Sequence, residues 1–295
     1  MENEYYKEIP KNKGTASIVV IVILSILLVG ALGYIGYDKL IKKDEPIKEE
    51  TNNNKIEDVT NESYVAELNN KLITKDKTYG FYLSYKMDIE NTADKYFVVI
   101  NVKNYLDENN INVDNERQKK IDNGEFEYYC GVTPGVDMPT YDVDKKELNA
   151  YIAKKYNSKL SYDFEQNKTL FWGIGTYKIS SDQDKFRIYC MASSGAQSYI
   201  EQKLIKAEKQ GDSLYIYDKA VYCIGDVAGS NCYTSIDKDE QNYIYEDTYA
   251  DTQRTTKEVA EYAINNLSDK LNTYKHTFKK AKDGNYYWVS SELAN

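Results

Sequence analysis

Few side chains in this chain are suited to covalent or metal chemistry: four cysteines and one histidine among 295 residues. The cysteines are Cys130, Cys190, Cys223 and Cys232. No Cys-x-x-Cys pair occurs, so neither a zinc site nor a dithiol redox centre is spelled out. Four cysteines admit three disulfide pairings. A Cys223–Cys232 bridge would close a short, glycine-containing loop at low entropic cost, leaving Cys130 for Cys190. Each bridge would add about 2–4 kcal/mol in an oxidising compartment. His276, the lone histidine, shares a strand face with Tyr274 and Phe278, so a structural role is expected. Histidine-based triads and zinc-protease helices need more partners than one.

Several short motifs imitate sites. Ile224-Gly225-Asp226-Val227-Ala228-Gly229 resembles the second flavin-binding motif of thioredoxin-reductase-type flavoproteins. Those enzymes also need G-x-G-x-x-G between strand and helix to hold the pyrophosphate. Neither Gly30, Gly33 and Gly36 nor Gly173-Ile174-Gly175 supplies it, so Asp226 is expected to shape a turn. Ser235-Ile236-Asp237-Lys238 matches the S-x-x-K of penicillin-binding enzymes but no Lys-Thr-Gly follows. Gly131-Val132-Thr133-Pro134-Gly135 imitates a nucleophile elbow with threonine in place of serine. In a calcium loop starting at Asp237, Asn242 would replace the turn glycine and Thr248 the bidentate glutamate. No catalytic residue, cofactor site or metal site is assigned from the sequence.

The net charge of −9 and the presence of only Arg117, Arg187 and Arg254 as arginines argue against nucleic acid, whose phosphates need cationic partners. Thirty tyrosines against seven phenylalanines suit half-buried strands, with the ring packed and the hydroxyl wet. The longest apolar feature is the uncharged run from Ala16 to Tyr37. As a helix it would reach roughly 33 Å, enough to cross a bilayer core. Lys7, Lys11 and Lys13 precede it and Lys39, Lys42, Lys43 and Lys48 follow, so the flanking charges nearly balance and set no direction. A short tail before a large C-terminal domain favours tail inside and domain outside. The charged, Asn-rich stretch that follows lacks the apolar residues to offset ordering entropy, and reads as a stalk.

The elements needed to position the cysteines and His276 follow from periodicity. Tyr64, Val65, Leu68 and Leu72 make an amphipathic helix, and residues 92–106 another. Tyr79–Met87 has β character. Residues 107–124 read as a loop, and Glu125–Val132 as a strand that would carry Cys130. Asp144-x-x-Glu147 and Thr255-x-x-Glu258 are capping boxes that open helices. Thr169–Ser180 and Lys185–Ala192 read as strands. Lys203–Glu208 and Ser213–Cys223 flank a turn at Gln210-Gly211-Asp212. Asp283-Gly284 is expected to close a two-residue hairpin, placing Phe278 opposite Val289 and Lys279 opposite Trp288.

This layout resembles uncharacterised single-pass membrane proteins of low-GC Gram-positive-type bacteria that carry an exported domain. The two long hairpins beside a helix in the last hundred residues also resemble small NTF2-like or cystatin-like α+β domains. Those folds carry enzymes, ligand pockets and scaffolds alike, so no activity follows from them. The expected organisation is a tail at 1–15, a transmembrane helix at 16–38 and a stalk at 39–60. A mainly helical subdomain at 61–135 and an α+β antiparallel-sheet domain at 136–295 complete it. The expected role is binding, scaffolding or sensing outside the cell membrane, with a peptide, an envelope polymer or a protein as partner. The alternative is a hydrolase whose carboxylates or serine the sequence does not expose.

Overall fold

A computed structural model describes residues 55–90, 95–130, 138–157, 177–182, 184–190, 196–236, 238 and 240–294. The expected tail, the membrane segment 16–38 and most of the stalk lie outside the described residues. Among the described residues no helix is long and apolar enough to cross a membrane. The fold is α+β, with an antiparallel sheet packed against helices.

The sheet is built on the hairpin of β6 (Gln197–Gln210) and β7 (Ser213–Gly225). Gln210 faces Ser213 across the turn at Gly211, whose φ of 58° glycine adopts without a Cβ clash. Along β7, Leu214, Ile216, Asp218 and Ala220 point inward, the period-two pattern of a strand with one face in the core. On one side β7 pairs with β10 (Thr273–Lys280), which pairs with β11 (Tyr286–Leu293) and then β2 (Lys86–Asp88). On the other side β6 pairs with β1 (Ile56–Asp58), which falls inside the stretch expected to be stalk. Main-chain pairing holds this exposed polar edge, and the Thr60 hydroxyl accepts from the Ala207 amide at 2.8 Å. The far end of β7 carries β8 (Gly229–Tyr233) and then β9 (Tyr243–Thr248). A second sheet orders β3 (Tyr141–Asp144), β5 (Lys185–Cys190) and β4 (Tyr177–Ser181).

The last hairpin corrects one expectation. Its loop is longer than two residues, with the Ala281 amide donating to Asn285 O at 2.7 Å. Phe278 therefore faces Trp288 and Lys279 faces Tyr287. A bulge between Thr277 and Phe278 absorbs the extra residue, and beyond it His276 faces Ser291, as the two-residue turn would have placed them.

The helices are α1 (Ser63–Asn70), α2 (Lys95–Glu108), α3 (Val113–Asp122), α4 (Lys145–Lys155), α5 (Tyr249–Thr252) and α6 (Thr256–Asn266). Helix α3 stands where a loop was expected. Asn112 caps it by accepting from the Asn115 amide, and its one buried side chain is Arg117 rather than an apolar stripe. Arg117 also explains why residues 125–130 are not the expected strand. Its guanidinium donates to Tyr129 O at 2.5 Å and to Pro139 O at 2.8 Å, so a side chain holds this backbone where a ladder was expected. Tyr79–Met87 is likewise mostly turn; its β pairing is one bridge from Gly80 to Ile73 and the start of β2. Helix α6 has both halves of its capping box. In α4 Asp144 caps the Lys146 and Glu147 amides, while the Glu147 carboxylate takes the Tyr105 hydroxyl.

One hydrophobic cluster joins Val65, Leu83, Phe97 and Val102 to Ile188, Ile216, Tyr274 and Trp288. It spans the boundary expected near residue 135, so the helices and the sheet share a core. A smaller cluster packs Val259, Ala260, Ala263 and Ile264 of α6 on Val221, Cys223 and Cys232.

Candidate functional site

Both cysteine pairs are bonded as the short-loop argument expects. Cys223 and Cys232 face each other across β7 and β8 with Cα atoms 4.1 Å apart, fully buried under α6. Cys130 and Cys190, 4.8 Å apart at Cα, tie the loop after α3 to the end of β5. Between Cys223 and Cys232 the Asp226 amide donates to Gly229 O at 2.9 Å, and the Asp226 carboxylate accepts from the Ala228 amide at 2.8 Å. A Cβ on Gly225 would sit 2.6 Å from Gly229 O. The flavin-like letters thus form a tight hairpin turn in which glycine is needed for close backbone approach.

His276 has partners that sequence spacing did not reveal. Its Nδ1 lies 2.6 Å from Ser291 Oγ on β11, and its Nε2 lies 2.9 Å from Asp218 Oδ1 on β7. These are the residue types of a serine hydrolase triad. Trp288 Nε1, which can only donate, is 3.0 Å from Ser291 Oγ. A consistent proton order has the serine hydroxyl donating to Nδ1, leaving Nε2–H aimed at Asp218. The Tyr82 hydroxyl donates to the other carboxylate oxygen of Asp218 and lies 2.6 Å from Gln202 Oε1. Burial, and then the neighbouring carboxylate, hold the Tyr82 phenol well above its ordinary range.

Exposure settles what these groups can do. Asp218, His276 and Ser291 are each 0% exposed. The Tyr82 ring meets His276 edge-on at 4.8 Å and Tyr274 at 5.2 Å, closing the network from the side. A nucleophile needs a substrate within about 3 Å, and here aromatic rings and strands occupy that space. The triad types form a satisfied polar core.

The second candidate is open to solvent. A cleft of about 470 Å³ lies where α1, the ends of α2 and α4, and the β10–β11 hairpin converge. Its floor is Leu72, Phe81, Tyr156, Phe278 and Trp288, all nearly buried. Half-buried Tyr151 and Tyr286 line it higher up, and exposed Lys71, Glu108, Asn109 and Lys154 mark its mouth. Lys155 reaches in between, donating to Glu108 at 2.8 Å and to the Tyr151 hydroxyl at 2.7 Å. Burial, assisted by the Lys71 charge and opposed by Glu108, lowers the Lys155 pKa. Phe81 packs 4.0 Å from Trp288 between ring centroids, so one tryptophan floors the cleft and donates to the sealed network.

No family model, curated protein or solved structure matches the chain. Ser235 is buried, and the Asp237 of its Ser-x-x-Lys tetrapeptide lies outside the described residues. Asn242, in the calcium-like segment, is buried with its carbonyl accepting from the Thr234 amide. The elbow-like residues 131–135 and Gly173-Ile174-Gly175 also lie outside the described residues. Among the described residues no three His, Cys, Asp or Glu side chains converge as a metal site.

Proposed function

We propose that this chain is a membrane-tethered extracytoplasmic binding domain that performs no catalysis and engages its ligand at the lysine-rimmed cleft. The observation that carries this reading is the contrast in access: the triad-type residues are sealed in the core, whereas aromatic and cationic side chains line the open cleft. A pocket of this size, mostly apolar with a few polar groups, is the usual form of a small-ligand site. The two disulfides support placement in an oxidising compartment outside the membrane, and the apolar run from Ala16 to Tyr37 is read as the tether. The hydrolase reading would need Ser291 as nucleophile, and its burial counts against that. Sensing or scaffolding of an envelope polymer, peptide or protein remains within the same reading.

Topology is the part most directly tested. Lys154 is exposed and the four native cysteines are bonded, so Lys154→Cys introduces one reactive thiol. A membrane-impermeant maleimide should label it on intact cells. Labelling only after lysis would place the domain inside and overturn the proposal.

A further inference from the structure

We propose that the occupant of the cleft is a small aromatic anion, its ring between Tyr151 and Tyr286 and its acidic group at Lys71 and Lys154. The inference rests on the binding reading above and adds the ligand's chemical class.

Charge argues for the anion. Three lysines, Lys71, Lys154 and Lys155, meet at the cleft against one acid, Glu108, which already pairs with Lys155. The rim carries an excess of positive charge on a chain whose net charge is −9. Among the described residues neither Lys71 nor Lys154 has an ion-pair partner, so an incoming carboxylate or phosphate need not displace one. Lys155 plays a different part: Glu108 and the Tyr151 hydroxyl fix its ammonium, which lies 5.1 Å from the Tyr151 ring centroid. That arrangement holds Tyr151 in place as a wall.

The wall residues argue for the ring. Tyr151 and Tyr286 are the half-buried aromatic side chains of the lining, beside the nearly buried Phe81 and Trp288. Tyr286 is itself backed by Tyr64, stacked at 5.8 Å with planes 8° apart, so it offers a firm flat face. Flat rings match such faces by offset or edge-to-face contact. A cationic aromatic would gain the same contacts but meet the lysines, so charge selects between the two.

The test uses the full chain with Trp172→Phe, which leaves Trp288 as the single tryptophan and its fluorescence as the signal. Three probes separate the parts of the proposal: 3-phenylpropionate, 2-phenylethylamine and propionate. The expected result is saturable change with 3-phenylpropionate and affinity at least about tenfold weaker for the other two. Lys71→Glu with Lys154→Glu should invert the preference toward 2-phenylethylamine. Equal or tighter binding of 2-phenylethylamine by the parent would overturn the anion assignment while leaving the cleft as a binding site. Propionate matching 3-phenylpropionate would overturn the aromatic part. No response to any probe, in a chain with unchanged circular dichroism, would overturn this assignment, while the placement of the domain is decided separately by labelling at position 154.

Discussion

Trp288 belongs to two neighbourhoods that treat polar groups in opposite ways. On one side, Ser291, His276, Asp218 and Tyr82 pair with one another and exclude solvent. On the other, lysines surround a cleft and two of them lack an ion-pair partner among the described residues. The difference teaches that residue type alone does not mark a site. A complete Ser-His-Asp set with every partner satisfied inside the core is costly to break one member at a time, while ordinary lysines without ion-pair partners at a cleft mouth leave their charge to a ligand.

Breaking the sealed side should have the largest effect. His276→Ala removes one partner of Asp218 and leaves a buried carboxylate to one hydrogen bond, which should cost about 3–5 kcal/mol in urea unfolding. A loss below about 1 kcal/mol would mean that water reaches Asp218.

Alkaline titration should sharpen the comparison, because one group on each side, Tyr82 and Lys155, responds with opposite sign. The Tyr82 phenol is raised in the fold, so its contribution is fully present below pH 10 and is lost as pH rises beyond the unfolded value. The Lys155 ammonium is lowered in the fold. Between its folded pKa and the usual 10.5 the unfolded chain holds more proton, so stability rises with pH there. Tyr82→Phe should therefore flatten the fall above pH 10, and Lys155→Met should remove the earlier rise. Denaturation midpoints measured against pH read both. The smallest effect belongs to the open rim: Lys71→Glu and Lys154→Glu should each change stability by less than about 0.5 kcal/mol.

Much of this frame was legible because local rules spoke clearly. The Gly211 turn, the Thr255–Glu258 capping box and the Cys223–Cys232 pairing each depend on residues close in sequence. Helix α3 was hidden because its buried residue is Arg117, which gives no apolar stripe to read. The shift at Phe278 was hidden because a bulge is a choice made by packing. Part of the sealed network left a trace in the sequence. In SLYIYDKAVY the alternation puts Asp218 on the inward face with Leu214, Ile216 and Ala220, and a charge in that register demands a buried partner. Alternation puts His276 on one face with Tyr274 and Phe278, and that face is buried, but its cross-strand neighbours depend on the sheet order. The cleft had no such trace, because its lining comes from helices and strands far apart in the chain.

The central claim, that the triad-type residues are structural and the cleft is the working surface, has one direct test. The folded protein is exposed to a fluorophosphonate that modifies accessible catalytic serines, and Ser291 is examined by mass spectrometry. The account predicts an unmodified Ser291 in the native chain. An adduct on Ser291 under those conditions would show an accessible, activated nucleophile and contradict it.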